Sequence, residues 1–347
     1  MNKKPIIGMT LGDPAGIGPE ITAKLLSKPS VYEKCRPIVI GDSRVVRDGI
    51  RIANKSLAVN PIGDFSDTKY EPGTIDVYDL QNISLSEFTY GQIGKASGKA
   101  SGEFIEKAIR LALEGKIEAI VTNPIHKKSF TLGGFGQKYA GHTEMLANLT
   151  GTEKYSMMLA CGNLRALHVT THIPLEQVAS HLSEQRIYDV IELAHNTCKQ
   201  IGITHPKIGV AGLNPHSSDG GKFGNQEETK IIPAIKRAVE NGIRAEGPVP
   251  GDTLFSKAKG GEYDAEVVMY HDQGHIPMKF AGFVLDPISK KWIVRGVNVT
   301  LGLPIIRTSV DHGTAFGKAG KGEADPSSLE DALDYAILMA AHKKNVP

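Results

Sequence analysis

Three histidines stand where apolar runs give way to polar residues. They are His172 in Thr170-Thr171-His172-Ile173-Pro174, His216 in Asn214-Pro215-His216, and His271 in Tyr270-His271-Asp272-Gln273-Gly274-His275. Open parallel sheets place their ligands at strand ends of this kind. Three neutral imidazoles suit a borderline divalent ion such as zinc, and leave its full charge available as a Lewis acid. Each one alone also reads as a histidine hydrogen-bonded at a helix start. Three at equivalent places weaken that reading. His271 and His275 are four apart, which invites a metalloprotease reading. That motif needs a glutamate beside the first histidine and a continuous helix carrying both. Asp272 occupies the glutamate position and Gly274 is expected to interrupt the helix, so a metal-dependent hydrolase is the alternative of another class. His168, His181, His195, His205 and His342 have no supporting neighbours and read as surface or core residues. His126 reads equally as a cleft residue or as part of a solvated helix start.

The cationic candidates are Lys279, after the His271 segment, and Arg307 in Gly302-Leu303-Pro304-Ile305-Ile306-Arg307-Thr308. Arginine grips carboxylate or phosphate bidentately and lysine adds a point charge. Either alone reads as surface charge; their position beside the other motifs is the argument for them. Asn298 and Thr143 can add uncharged hydrogen bonds. The stretch from Gly12 through Asp13, Pro14, Ala15, Gly16, Ile17 and Gly18 to Pro19 and Glu20 follows a strand and opens a helix. It is either an anion site at a helix N-terminus or a tight turn, and its spacing is not that of the dinucleotide fold. The loop from His312 through Gly313, Thr314 and Ala315 to Lys321 and Gly322 can wrap an adenosine; its other reading is a flexible loop before the last helix.

The elements that must position these residues alternate. Strands are expected over 5–10, 37–40, 118–122, 207–213 and 265–270. Helices are expected over 18–26, 101–114, 187–201, 227–241 and 329–341. Such alternation implies parallel sheets covered by helices. The polar, lysine-containing segment 284–292 reads as a surface loop insertion. The expected division is a first domain of 1–124 plus 301–347 and a second of 125–300, dimer-forming. A chain of 347 residues, 40% hydrophobic, can bury the cores this requires. A net charge of +2 gives no general attraction to nucleic acid or membrane. Cys35, Cys161 and Cys198 are too few and scattered for a disulfide framework or a four-thiolate zinc site, which fits a reducing compartment. With no signal-peptide-like run and no long apolar stretch, a cytoplasmic protein is expected.

Taken together, the stretches 12–20, 141–144, 214–216, 269–274 and 298–313 resemble the 4-hydroxythreonine-4-phosphate dehydrogenase family of pyridoxal phosphate biosynthesis. The likeness runs in the same order from about residue 5 to about residue 342. It extends more weakly to the isocitrate and isopropylmalate dehydrogenases. The resemblance implies two α/β/α domains of that architecture with the active site in the interdomain cleft. It implies His172, His216 and His271 as ligands of a divalent metal (zinc, magnesium or cobalt), with His271 supplied by the other subunit of a homodimer. It implies substrate contacts from His142, Thr143, Lys279, Asn298 and Arg307, and a site for the adenosine of NAD or NADP on the loop of His312, Gly313, Thr314, Ala315 and Lys321. The implied activity is oxidation of 4-hydroxythreonine 4-phosphate with decarboxylation of the 3-keto acid. The proton carrier is open among Lys279, Asp252 and a metal-bound water. His275 with Ile276-Pro277-Met278, and the segment 284–292, depart from the biosynthetic enzyme. They resemble a related branch that oxidises D-threonate or D-erythronate 4-phosphate.

Overall fold

The structure, a computed structural model, describes residues 4–288, 290 and 292–342. The chain begins with β1 (Ile6–Thr10), α1 (Gly18–Leu26), α2 (Pro29–Lys34), β2 (Arg36–Gly41), α3 (Ser43–Ile52), β3 (Ala58–Ile62) and β4 (Thr74–Asp79). It continues through α4 (Lys95–Leu113), β5 (Ala119–Thr122), α5 (Lys127–Leu132) and α6 (His142–Leu149). Next come β6 (Ser156–Cys161), β7 (Leu164–His168), α7 (Val178–His181), α8 (Glu184–Gln200), β8 (Lys207–Ala211), α9 (Ile232–Glu240) and β9 (Arg244–Val249). The last elements are α10 (Gly251–Lys259), β10 (Ala265–Val268), α11 (His271–Gly282), β11 (Phe283–Leu285), β12 (Trp292–Val294), β13 (Val297–Leu301), β14 (Ile306–Val310) and α12 (Ser327–His342).

The described residues form two compact units, 4–153 with 303–341, and 154–302 with His342. The sequence-based boundary at 124/125 therefore falls inside the first unit. The reason is packing: Phe130 on α5 and Met145 and Leu146 on α6 share a core with Ile105 and Ile109 of α4 and with Ile38, Ile40 and Ile120 of the strands. Burying a side chain of that size stabilises by about 1.5–3 kcal/mol, so 125–153 stays with the surface that covers it.

The strands of the first unit run β3-β4-β2-β1-β5-β14, each neighbouring pair parallel. Those of the second run β13-β6-β7-β10-β8-β9. Here β7, β10, β8 and β9 are parallel, but β13–β6 and β6–β7 are antiparallel, which corrects the wholly parallel expectation. The cause is local. Only Gly162 and Asn163 join β6 to β7, and Gly162 has φ +58°; a two-residue link with a left-handed residue turns the chain back on itself.

Two further expectations are corrected. Helix α11 is continuous through Gly274 and through Pro277. Gly274 does not break it; a Cβ there would fall 2.5 Å from Nε2 of His168, so glycine is what lets that side chain approach the helix. The segment 284–292 is not a plain loop. Strands β11 and β12 pair antiparallel, Phe283 with Val294 and Leu285 with Trp292, while Ser289 and Lys291 lie outside the described residues. Among the described residues no helix is long and apolar enough to cross a membrane.

Candidate active site

Strands β7, β10 and β8 are adjacent and parallel, so their C-terminal ends point the same way. His172 follows β7, His271 follows β10 and opens α11, and His216 follows β8. Topology thus collects three of the expected residues at one end of one sheet. The rings of His172 and His271 lie with centroids 5.7 Å apart. A cavity of about 280 Å³ is lined by Thr171, His172, Tyr270, His271 and Asp272. An adjoining one of about 570 Å³ shares Tyr270 and Asp272 and adds His216, Asp252 and Gln273. Asp252 sits in the exposed first turn of α10.

Hydrogen bonding prepares His271 as a donor. Its Nδ1 lies 2.7 Å from the Asp272 carboxylate, which places a proton on Nδ1 and leaves Nε2 as the ligand atom of the neutral ring. Carboxylate–imidazole pairs of this kind orient metal-binding histidines. The His216 loop is held differently. His216, Ser217, Ser218 and Asp219 are consecutive non-glycine residues with φ of 53°, 52°, 74° and 44°. Such residues each cost of order 1 kcal/mol and collect at functional sites. Buried Glu227 anchors the loop by accepting from the Leu213 and Asn214 amides and from the Asn214 side chain. Sequence reasoning missed Glu227, because nothing about an isolated glutamate marks it as an anchor.

Lys279 is half-buried in the last turn of α11, with Nζ 4.9 Å from the centre of the Phe283 ring. Asn298 lies on β13, and its Oδ1 is buried with no hydrogen-bond partner among the described residues. An orphaned amide oxygen of this kind can accept from a bound hydroxyl or ammonium.

In the first unit, Arg307 on β14 is buried and donates from Nε and a terminal nitrogen to the Thr122 hydroxyl on β5. Burial pulls its guanidinium down to about 9, with Glu144 acting in the opposite sense. His142 opens α6 and Thr143 follows it. The Nε2 of His142 is sealed from solvent with no hydrogen-bond partner among the described residues. Burial first, and Arg307 second, hold that imidazole well below its ordinary value, so it is neutral.

The motif at 12–20 turns out to be a clamp. All of residues 11–20 are buried. Gly12 has φ +72°, and a Cβ there would run into the Pro124 carbonyl, so no side chain fits. The Ile17 amide donates to the Thr314 carbonyl, so the start of α1 is covered by the glycine-rich loop. Glu20 accepts from the amides of Gly322 and Ala324. Lys24 bridges Glu20 to the carbonyls of Gly322 and Ala324. Of the expected loop residues Thr314 is buried, while Gly313, Ala315 and Lys321 are exposed. His312 Nδ1 donates to the Gly313 carbonyl, and Lys321 Nζ to the Gly317 carbonyl. His126, which sequence left open, stacks on Phe316 of this loop at 4.7 Å and accepts from the Ser129 amide at the start of α5.

Among the described residues of this one chain, no three His, Cys, Asp or Glu side chains are grouped to hold a metal ion. The imidazole donors of His172, His216 and His271 are of the kind that suits such an ion.

Comparison with known proteins decides the family. The sequence model described as pyridoxal phosphate biosynthetic protein PdxA matches residues 33–336. The chain belongs to this family. A relative from Oceanobacillus iheyensis is 48% identical over 347 residues, covering 99% of this chain and all of the relative. D-threonate 4-phosphate dehydrogenase of Cupriavidus necator is 44% identical over 340 residues, covering 98% of each chain. The crystal structure of a 4-hydroxythreonine-4-phosphate dehydrogenase from Burkholderia phymatum superposes with a TM-score of 0.83 at 44% identity, over 97% of this chain and 99% of that one. The two-unit α/β architecture is thus that of the family.

Proposed function

We propose that the protein is a nicotinamide-linked, metal-dependent dehydrogenase of a four-carbon acid phosphorylated at C4. It would oxidise the C3 hydroxyl and release the carboxyl group as carbon dioxide. The observation that carries this reading is the set of histidines following the parallel strands β7, β10 and β8 in a chain of this family. D-threonate 4-phosphate is the favoured substrate. The 44%-identical relative of that name supports it, as does the His275-Ile276-Pro277-Met278 sequence. 4-Hydroxythreonine 4-phosphate is the second reading, supported by the similarity to the Burkholderia phymatum enzyme; D-erythronate 4-phosphate is the third.

His172, His216 and His271 of the partner subunit would hold the divalent ion. Imidazole donors favour zinc or cobalt over magnesium. The ion would supply Lewis acidity at the substrate hydroxyl, and NAD or NADP would accept the hydride. Arg307 can grip phosphate or carboxylate through the guanidinium nitrogens that now face Thr122. Neutral His142 and Thr143 can add uncharged donors beside it. Lys279 can neutralise a second anionic group, and Asn298 Oδ1 can accept from the group at C2. Lys279 and Asp252 are the chain's own candidates for moving the proton. The loop from His312 to Lys321 would take the adenosine, clamped by Glu20 and Lys24.

A homodimer completes the reading. Ile276, Phe280, Val284, Leu285, Ile288 and Trp292 form an exposed apolar set on α11 and the β11–β12 hairpin, with Phe280 at 88% and Ile288 at 92% exposure. Exposed apolar surface of that extent marks an interface. Three scattered cysteines in a chain of 347 residues support a reducing cytoplasmic location.

The test is direct. Protein, NAD or NADP, Zn²⁺ or Co²⁺, and each of the three phosphorylated acids are mixed, and reduced nicotinamide is followed by absorbance. Reduction with matching release of carbon dioxide is expected with at least one acid, and His216→Ala should abolish it. Silence with all three acids and both cofactors, from protein that has bound metal, would sink the proposal.

A further inference from the structure

Behind His271 lies a chain of histidines that the proposed reaction does not use. His168 on β7 is fully buried, with Nδ1 3.3 Å from the Met157 carbonyl. A carbonyl only accepts, so that nitrogen carries the proton and His168 Nε2 presents a lone pair. The Nδ1 of His275 lies 3.1 Å from that lone pair and 3.0 Å from the His271 carbonyl, so it is the donor to both. His275 is thereby fixed in position from one side by a buried ring and from below by its own helix. Its imidazole lies flat on that of His271, with centroids 3.6 Å apart and planes 9° from parallel. His271 is then held twice: edge-on by Asp272 at 2.7 Å and face-on by His275. Gly274 is part of the device, since only a residue without a side chain leaves room for His168 against α11.

We propose that His275, locked by His168, is a positioning residue that fixes the ring plane of His271 for metal binding. This rests on the metal reading above. His271 stands at the exposed mouth of α11, where an imidazole held by a single hydrogen bond keeps a rotation about that bond. A stacked partner removes that freedom before the ion arrives, which lowers the entropy lost on binding. Partners that orient metal ligands are typically worth about 10–100-fold in metal affinity.

The experiment titrates metal-free full-length protein with Co²⁺ and records its visible d–d absorption, alongside circular dichroism and the thermal midpoint without metal. The His275→Leu variant is expected to keep the fold and to lose about 10–100-fold in Co²⁺ affinity, with a changed band shape. The His275→Phe variant, which keeps a flat ring, is expected to recover part of the loss. Affinity and spectrum in His275→Leu equal to wild type would overturn the proposal. If that variant does not fold, His275→Gln, which keeps a donor for His168 but no ring, carries the same test, and wild-type Co²⁺ binding in it overturns the proposal. Wild-type protein that binds no Co²⁺ would overturn the metal reading and this inference with it, so the two failures are told apart.

Discussion

Burial holds the His168 imidazole down to about 3, against an ordinary value of 6.5, and His275 is likewise held down to about 4. Both values lie below that of an unfolded chain. As pH falls below 6.5 the unfolded chain takes up these protons while the folded one refuses them. Folding therefore keeps its full stability above pH 6.5 and loses it as pH falls toward the folded values, by about 1.4 kcal/mol per pH unit for each such group. Replacing His168 with asparagine removes one titrating group. Urea denaturation between pH 7.5 and 5 should show a shallower decline in His168→Asn than in wild type, even though the variant starts less stable. Parallel curves would mean that His168 titrates in the folded protein as it does in the unfolded chain. In the sequence His168 carried no signal, because its partners lie 107 residues ahead and 11 behind.

At the scale of elements, the start of α1 and the glycine-rich loop behave as one piece. Glu20 is almost fully buried and supplies the acceptors for two loop amides from more than 300 residues earlier in the chain. Truncating it leaves those amides unsatisfied, at about 1–3 kcal/mol each. Glu20→Ala should therefore speed hydrogen exchange across 312–324 and raise the KM for NAD about tenfold or more, with a smaller change in kcat. Glu20→Gln, which keeps one acceptor, should fall between. Faster exchange with an unchanged KM would separate the loop from the nicotinamide cofactor. The motif at 12–20 was visible in the sequence, but both of its expected readings treated it alone. Its helix start is occupied by the Thr314 carbonyl, and no local pattern announces a partner so distant.

At the scale of the whole molecule, a single chain leaves its histidine set incomplete among the described residues, and the proposed dimer completes it. Complementation tests this. His172→Ala and His271→Ala homodimers should each be inactive. Unfolded together and refolded in equal amounts, half of the dimers should be mixed, each with one intact site, giving about a quarter of wild-type activity. No recovery, with mixed dimers confirmed by mass, would place all the ligands within one subunit.

What the sequence determined by itself was the set of strongly patterned things. Strand β1, helix α1 and helix α12 lie close to where periodicity put them, because apolar spacing is a local property. The motifs at 141–144, 214–216 and 269–274 identified the family for the same reason: their information is contiguous. Tertiary structure decided the rest. The antiparallel β6–β7 pair hung on one left-handed glycine, and the continuity of α11 through Gly274 and Pro277 on packing against β7. The anchoring of His271 by His275 and His168, and of the loop by Glu20, depends on contacts between residues far apart in the chain. Such contacts form only when the sheets bring strand ends together, and a linear pattern carries no record of which ends those will be.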